Sequence, residues 1–139
     1  MPDTLYDELG GKPCLENVHR IFYDKLMSHP WLKQYFVGRK REHQESQQTD
    51  FMTGMFGGPQ IYGGRMPKSA HQHLFITEEA FQLRHDMLAS SVDEARVPAD
   101  LKARWLRYDL KVKYALVKSD ITECKPRYPT DAIIAPQKP

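Results

Sequence analysis

The stretch Arg65-Met66-Pro67-Lys68-Ser69-Ala70-His71-Gln72-His73-Leu74-Phe75-Ile76-Thr77 decides how this chain is read. It sets two histidines between a glycine-rich turn, Ile61-Tyr62-Gly63-Gly64, and a strongly patterned segment that begins at Thr77. The chain holds six histidines, and a histidine beside an apolar segment is usually just packed or solvated. Whether His71 or His73 is a ligand has to be decided by the rest of the chain.

Downstream, Thr77 followed by Glu78 and Glu79 predicts a helix start, a hydroxyl cap and then acidic residues at the positive end of the helix dipole. Phe81, His85, Leu88, Val92 and Ala95 fall on one face of that helix. Val97-Pro98-Ala99-Asp100 restarts a last helix with the stripe Leu101, Trp105, Tyr108, Val112 and Ala115. From Ser119 the helical period vanishes. The remaining residues carry four prolines and read as an extension lying on the surface or disordered. The expected organisation is one domain over residues 1–118 and an extension over 119–139.

Upstream, residues 4–9 predict a short helical turn stopped by Gly10-Gly11, and Pro13 suits the first turn of the next helix. There Leu15, Val18, Phe22 and Leu26 share a face, with Tyr23 at its edge. That helix must fail before Pro30, because a proline pushes its predecessor out of helical geometry. Trp31, Leu32, Tyr35 and Phe36 then form a short aromatic corner. Residues 39–56 predict another helix, with Gln44, Gln47, Gln48, Phe51, Met52 and Met55 on one face. An amphipathic helix normally sets an apolar stripe against a charged face; here amides extend the stripe. Either that end is exposed or it meets a polar ligand, since an unpaired buried amide costs about 1–3 kcal/mol. Gly57-Gly58-Pro59 ends the helix. No strand pattern appears, so the expected class is all-α.

The 139 residues suffice for one core. A net charge of +2 with interleaved signs argues against nucleic acid. No apolar run approaches the ~20 residues of a membrane span, and Met1-Pro2-Asp3-Thr4 lacks the layout of a secretory signal. Two distant cysteines, Cys14 and Cys124, give neither a disulfide scaffold nor a zinc site, so a reducing cytoplasm is the expected compartment.

These elements meet the needs of a haem pocket: an apolar and aromatic slot, one imidazole for the iron, and groups that control the opposite side. Phe22, Phe36, Phe51, Met55, Phe81 and Leu88 are candidates for the lining. Tyr23, Gln44, Gln47 and Gln48 are neutral donors of the kind that retain O2, which gives the odd amide face a purpose.

The motifs Leu5-Tyr6-Asp7-Glu8-Leu9-Gly10-Gly11, Phe22-Tyr23, Phe36, Phe56-Gly57-Gly58-Pro59, Tyr62-Gly63-Gly64, Ala70-His71, Ile76-Thr77 and Phe81 stand in this order. Over about residues 4–118 the chain resembles a truncated haemoglobin, closest to the first, N-type group. The resemblance implies a two-over-two helical sandwich around a haem b. It implies His71 as the proximal iron ligand and Tyr23, Gln44, Gln47 and Gln48 as the distal set. Phe36 becomes the aromatic against the porphyrin, with Phe51, Met55, Phe75 and Phe81 as further cofactor contacts. Lys68 or Arg65 is suggested by charge alone as a propionate partner. Arg84 stands where other groups of the family carry tryptophan. His73 remains a rival ligand, although spacing to Ile76-Thr77 favours His71.

The partners so implied are O2, NO and CO, with an electron-donating reductase, and neither nucleic acid nor membrane. Conversion of NO to nitrate, peroxidase-like chemistry, electron transfer and sensing all stay open, because one fold hosts them all. The competing readings are a porphyrin-free metal domain using His71, His73 and His85, and a helical interaction domain.

Overall fold

The computed structural model describes residues 4–139; Met1 to Asp3, part of the N-terminal segment judged above for a secretory signal, lie outside them. Seven helices follow in order: α1 Leu5–Glu8, α2 Lys12–Ser28, α3 Arg41–Met55, α4 Pro67–Ala70, α5 Glu78–Glu94, α6 Ala99–Lys111 and α7 Lys113–Leu116. Short 3-10 turns occupy Leu32–Phe36 and Ile121–Glu123.

The ends of these helices follow from local chemistry. Gly11 precedes α2 at a φ of 79°, with Pro13 in the first turn. At the other end His29 turns extended before Pro30, and its Nδ1 accepts the amides of Trp31 and Leu32, both at 3.2 Å. The aromatic corner is thus capped by the residue that ends the helix. Thr77 Oγ1 accepts the amide of Ala80 at 3.1 Å and opens α5. The last stripe is broken: α6 stops at Lys111, and Val112 separates it from α7.

The four long helices make two layers. Helix α2 packs on both α3 and α5, and α5 packs on α6. The core between them holds Leu15, Val18, Phe22, Phe56, Phe81, Leu88, Val92 and Trp105, all essentially inaccessible. Trp105 meets Phe56 and His19 edge-on at 5.0 and 5.9 Å between ring centroids. This is the two-over-two helical sandwich expected of a truncated globin.

Gly57 has a φ of 90°, where a β-carbon would lie 2.7 Å from the Thr4 side chain; only glycine allows the chain end to cross there. Among the described residues there is no strand, only isolated bridges pairing Leu74 with Ile134 and Ile76 with Val117. Through the first of these, residues 125–136 lie along segment 72–76. Lys125 donates its amide to the Gln72 carbonyl at 2.8 Å, Ile134 to His73 at 2.9 Å, and Phe75 to Ile134 at 2.9 Å. The Trp31 indole reaches the Pro136 carbonyl at 3.2 Å. The extension expected on the surface or disordered is therefore laid down in order. The reason is that segment 72–76 is not helical and needs backbone partners from elsewhere.

Candidate functional site

A cavity of about 380 Å³ lies between the α2–α3 pair and the segment from Pro67 to Ile76, a size that suits a small-molecule cofactor. One wall comprises Phe22, Tyr23 and Leu26 of α2, Phe36 of the corner, and Gln44, Gln47, Gln48, Phe51 and Met52 of α3. The facing wall comprises Pro67, Ala70, His71, His73, Leu74 and Ile76. A third side comes from Ala80 and Arg84 of α5, Asp109 of α6, then Val112 and Leu116. Leu32 and Tyr35 of the corner, the exposed His43 of α3, Tyr62, Gly64, Arg39, Arg65, Arg127 and Tyr128 complete the lining.

Of the residues singled out in the sequence, Tyr23, Phe36, Gln44, Gln47, Gln48, Phe51 and His71 come together here. Met55, Lys68, Phe75 and Phe81 do not. Met55 lies a turn beyond Phe51 and packs on the core. Lys68 is exposed on α4. Phe75 sits in extended chain between Leu74 and Ile76, so alternation turns it away, into a cleft with Trp31 and Tyr35. Phe81 is buried at 1% exposure, stacked on His85 at 6.1 Å. Leu88 is buried with it and also misses the cavity.

Tyr23 is 5% exposed, and its hydroxyl donates to the Gln44 carbonyl over a long 3.4 Å. Burial pushes its phenol well above the ordinary value, against a smaller opposing pull from Arg84. It therefore stays protonated and can donate. Gln47 leans on the glycine turn: a β-carbon on Gly64 would stand 2.6 Å from Gln47 Oε1.

His71 Nδ1 lies 2.7 Å from the Pro67 carbonyl, so the ring nitrogen donates there and its tautomer is set, with Nε2 left as the basic nitrogen. Burial lowers its pKa to about 4, the Pro67 bond pulls it up, and Arg84, Lys118 and His73 lower it further. The imidazole is neutral at pH 7, as metal ligation requires. His73 is only 4% exposed, and its Nδ1 has no partner. Burial lowers its pKa to about 4, reinforced by Arg127.

Most of the chain matches known proteins. Residues 4–113 match the family model of the bacterial-like globins. The chain is 32% identical over 96 residues to the group 1 truncated hemoglobin of Tetrahymena pyriformis, covering 69% of this chain and 79% of that one. This chain belongs to the truncated haemoglobins.

It is also 32% identical over 99 residues to the group 1 truncated hemoglobin of Mycolicibacterium paratuberculosis, covering 71% and 73% of the two chains. The crystal structure of the Tetrahymena pyriformis truncated hemoglobin in its Fe(III) form superposes with a TM-score of 0.75 at 26% identity, covering 84% of this chain and all of that one. The 2/2 hemoglobin of a Synechococcus species, solved in the cyanomet state with covalently attached heme, superposes at 0.74 with 27% identity, covering 81% and 95%.

The residues present in this truncated haemoglobin fit a haem. The lining combines apolar and aromatic side chains with one neutral imidazole oriented by a carbonyl, and arginines are among the lining residues. A porphyrin-free metal site lacks such support: among the described residues no three His, Cys, Asp or Glu side chains gather as a metal-binding set. No helix of the described residues is long and apolar enough to cross a membrane.

Sequence reading missed the charged side of the cavity. Arg84 grips Asp109 with two parallel bonds of 2.9 and 2.8 Å, and His85 Nδ1 lies 2.7 Å from the same carboxylate. Asp109 is 2% exposed. Burial alone would raise its pKa, yet the Arg84 charge and the two partners hold it at about 2. Arg84 also sits 5.5 Å from the ring centres of both Phe22 and Phe81. The signals available beforehand were His85 on the apolar stripe and the basic residue beside it at position 84.

Proposed function

We propose that the chain carries haem b with His71 as its axial ligand and binds O2, NO and CO on the opposite side, beneath Tyr23, Gln44, Gln47 and Gln48. Membership of the truncated haemoglobins implies haem-based binding of diatomic ligands; the residue roles and the physiological use are this reading's own. The observation that carries it is the His71 ring, neutral and oriented by the Pro67 carbonyl, lining one cavity with four neutral donors.

When bound, the haem supplies a coordination site for a diatomic ligand and one-electron chemistry. His71 would hold the iron through Nε2, and the Pro67 carbonyl would keep the ring from turning. Phe36, Phe51, Leu74 and Ile76 would exclude water from the porphyrin faces. Tyr23 gives up little when it turns its hydroxyl from the distant Gln44 carbonyl to a ligand. Neutral donors retain a ligand that gains negative character in preference to one that does not. Slow O2 release suits conversion of NO to nitrate, or sensing, better than bulk transport. Repeated turnover would need a reductase as electron donor.

The test is a set of absorption spectra of ferric, ferrous and CO-bound protein for the parent, His71→Ala and His73→Ala. We expect a strong Soret band in the parent that shifts under CO. His71→Ala should lose or reshape it, and His73→Ala should retain it. Colourless parent protein after haem supplementation would end the haem reading, and the reverse behaviour of the two variants would move the ligand to His73.

A further inference from the structure

We propose that residues 125–136 are part of the cofactor site, with Arg127 and the buried His73 forming a subsite for one carboxylate of the bound porphyrin. The proposal rests on the haem reading above and adds to it a role for a segment outside the matched globin region.

Three observations carry it. Arg127 lines the cavity although its side chain is only 12% exposed. Its Nε and Nη2 donate to Asp131 at 2.9 and 3.3 Å. A guanidinium has five N–H donors, and among the described residues no acceptor is recorded for Nη1. His73 lines the same cavity with an unpartnered Nδ1. An unpaired buried nitrogen is costly, and a carboxylate oxygen would satisfy it and Nη1 together. Lys118 is already committed to the carbonyls of His71, Leu74 and Leu116 at 3.0, 2.8 and 3.3 Å and braces the histidine segment. Of the other arginines that line the cavity, Arg39 is exposed, Arg65 is bonded to Ser69 and Tyr128, and Arg84 is held by Asp109, so the buried anion falls to Arg127.

The placement of Arg127 depends on the segment around it. The Gln72 amide donates to the Pro126 carbonyl at 2.8 Å on one side, and the Asp131 carboxylate accepts the Arg127 backbone amide at 2.9 Å on the other. Tyr128 is held by Arg65, whose guanidinium lies 4.7 Å over its ring. These hydrogen bonds of residues 125, 126 and 134, given or accepted, all pair them with positions 72–75. Carboxylate recognition and support of the histidine segment are therefore built into one stretch.

The experiment measures transfer of pigment from the full-length protein to an excess of apomyoglobin, using haem and haem dimethyl ester in parallel. Arg127→Ala should speed haem loss by about ten- to a hundredfold, the range of one lost charge-assisted bond, and should leave loss of the ester unchanged. Asp131→Asn keeps the guanidinium and should not speed haem loss comparably. Thermal melts of the haem-free variants check that each folds like the parent. Equal haem loss from Arg127→Ala and parent overturns the subsite, as does an acceleration that persists with the ester. If Asp131→Asn accelerates loss as much as Arg127→Ala, the segment is structural only and the subsite is again overturned. Failure of the parent to take up either pigment instead overturns the haem reading beneath it, and the subsite falls with it.

Discussion

The two facing walls of the cavity are built on opposite principles. The α2–α3 wall is helical, its backbone hydrogen bonds close within a turn, and the polar groups it brings to the lining are a phenol, three half-buried amides and the exposed His43. The wall from Pro67 to Ile76 is mostly irregular. It borrows backbone partners from residues 117–134 and a lysine ammonium, and its neighbourhood is charged. A helix can offer neutral donors to a ligand without outside help. A histidine in irregular chain needs to be tied from several directions before it can hold a fixed geometry.

The charged side, where α5 and α6 close the cavity between these walls, gives the largest test. Asp109→Ala would strand the Arg84 guanidinium in an apolar setting. We expect a loss of about 3–5 kcal/mol in urea unfolding of the haem-free protein, with the double variant Asp109→Leu/Arg84→Met recovering much of it. A loss below about 1 kcal/mol would show that water reaches Arg84 and that this side is not a dry one.

Acid is expected to act next, on the helical wall. His19 is inaccessible to solvent, bonded through Nδ1 to Thr49 Oγ1 at 2.7 Å, and so links α2 to α3. Burial lowers its pKa to about 3, Arg84 adds to this and Asp109 opposes it. Its folded value lies below its unfolded one, so its contribution is complete above about pH 6.5 and drains away as pH falls toward 3. While it titrates the slope is about 1.4 kcal/mol per pH unit. Asp109, with a pKa held at about 2, adds its own loss only below about pH 4. His71 and His73, whose pKa values are lowered to about 4, add losses of the same sign over pH 6.5 to 4, so in the haem-free protein His19→Gln should reduce the slope there by about one proton's share rather than abolish it. A stability constant from pH 6.5 to 4.5 would contradict the buried neutral imidazole.

The smallest effect tests the neutral donors alone. Tyr23→Phe removes one hydroxyl whose protein bond is already long. It should leave the melting temperature nearly unchanged and speed O2 dissociation by about tenfold, the equivalent of one hydrogen bond. An unchanged rate would remove Tyr23 from ligand retention.

The difference between the walls also explains what could be read from the chain. The ends of α2 and α5 are written locally, in Pro13, Pro30 and Thr77, and the amide stripe of α3 is visible by period alone. His71 was favoured by its short spacing to Ile76-Thr77, and it lines the cavity together with its rival His73. Phe75 was misplaced because the segment around it is extended, and a helical or loop reading does not reveal which way alternate side chains turn. The Arg84–Asp109 pair was invisible for another reason: its partners lie 25 positions apart on different helices, and neither helix alone announces a buried charge. The order in residues 125–136 was hidden by their prolines, which remove helical period without preventing edge-on pairing with a strand-like neighbour.

The pairing of Ile134 with His73 and Phe75 also has a consequence in time. Every other wall of the cavity is translated before residues 125–136 emerge. Until then the Gln72 and His73 carbonyls and the Phe75 amide lack the partners that residues 125–134 give them, and that side of the cavity stands open. Arg127 and Tyr128, which lie on that side, are therefore the last lining residues to be made.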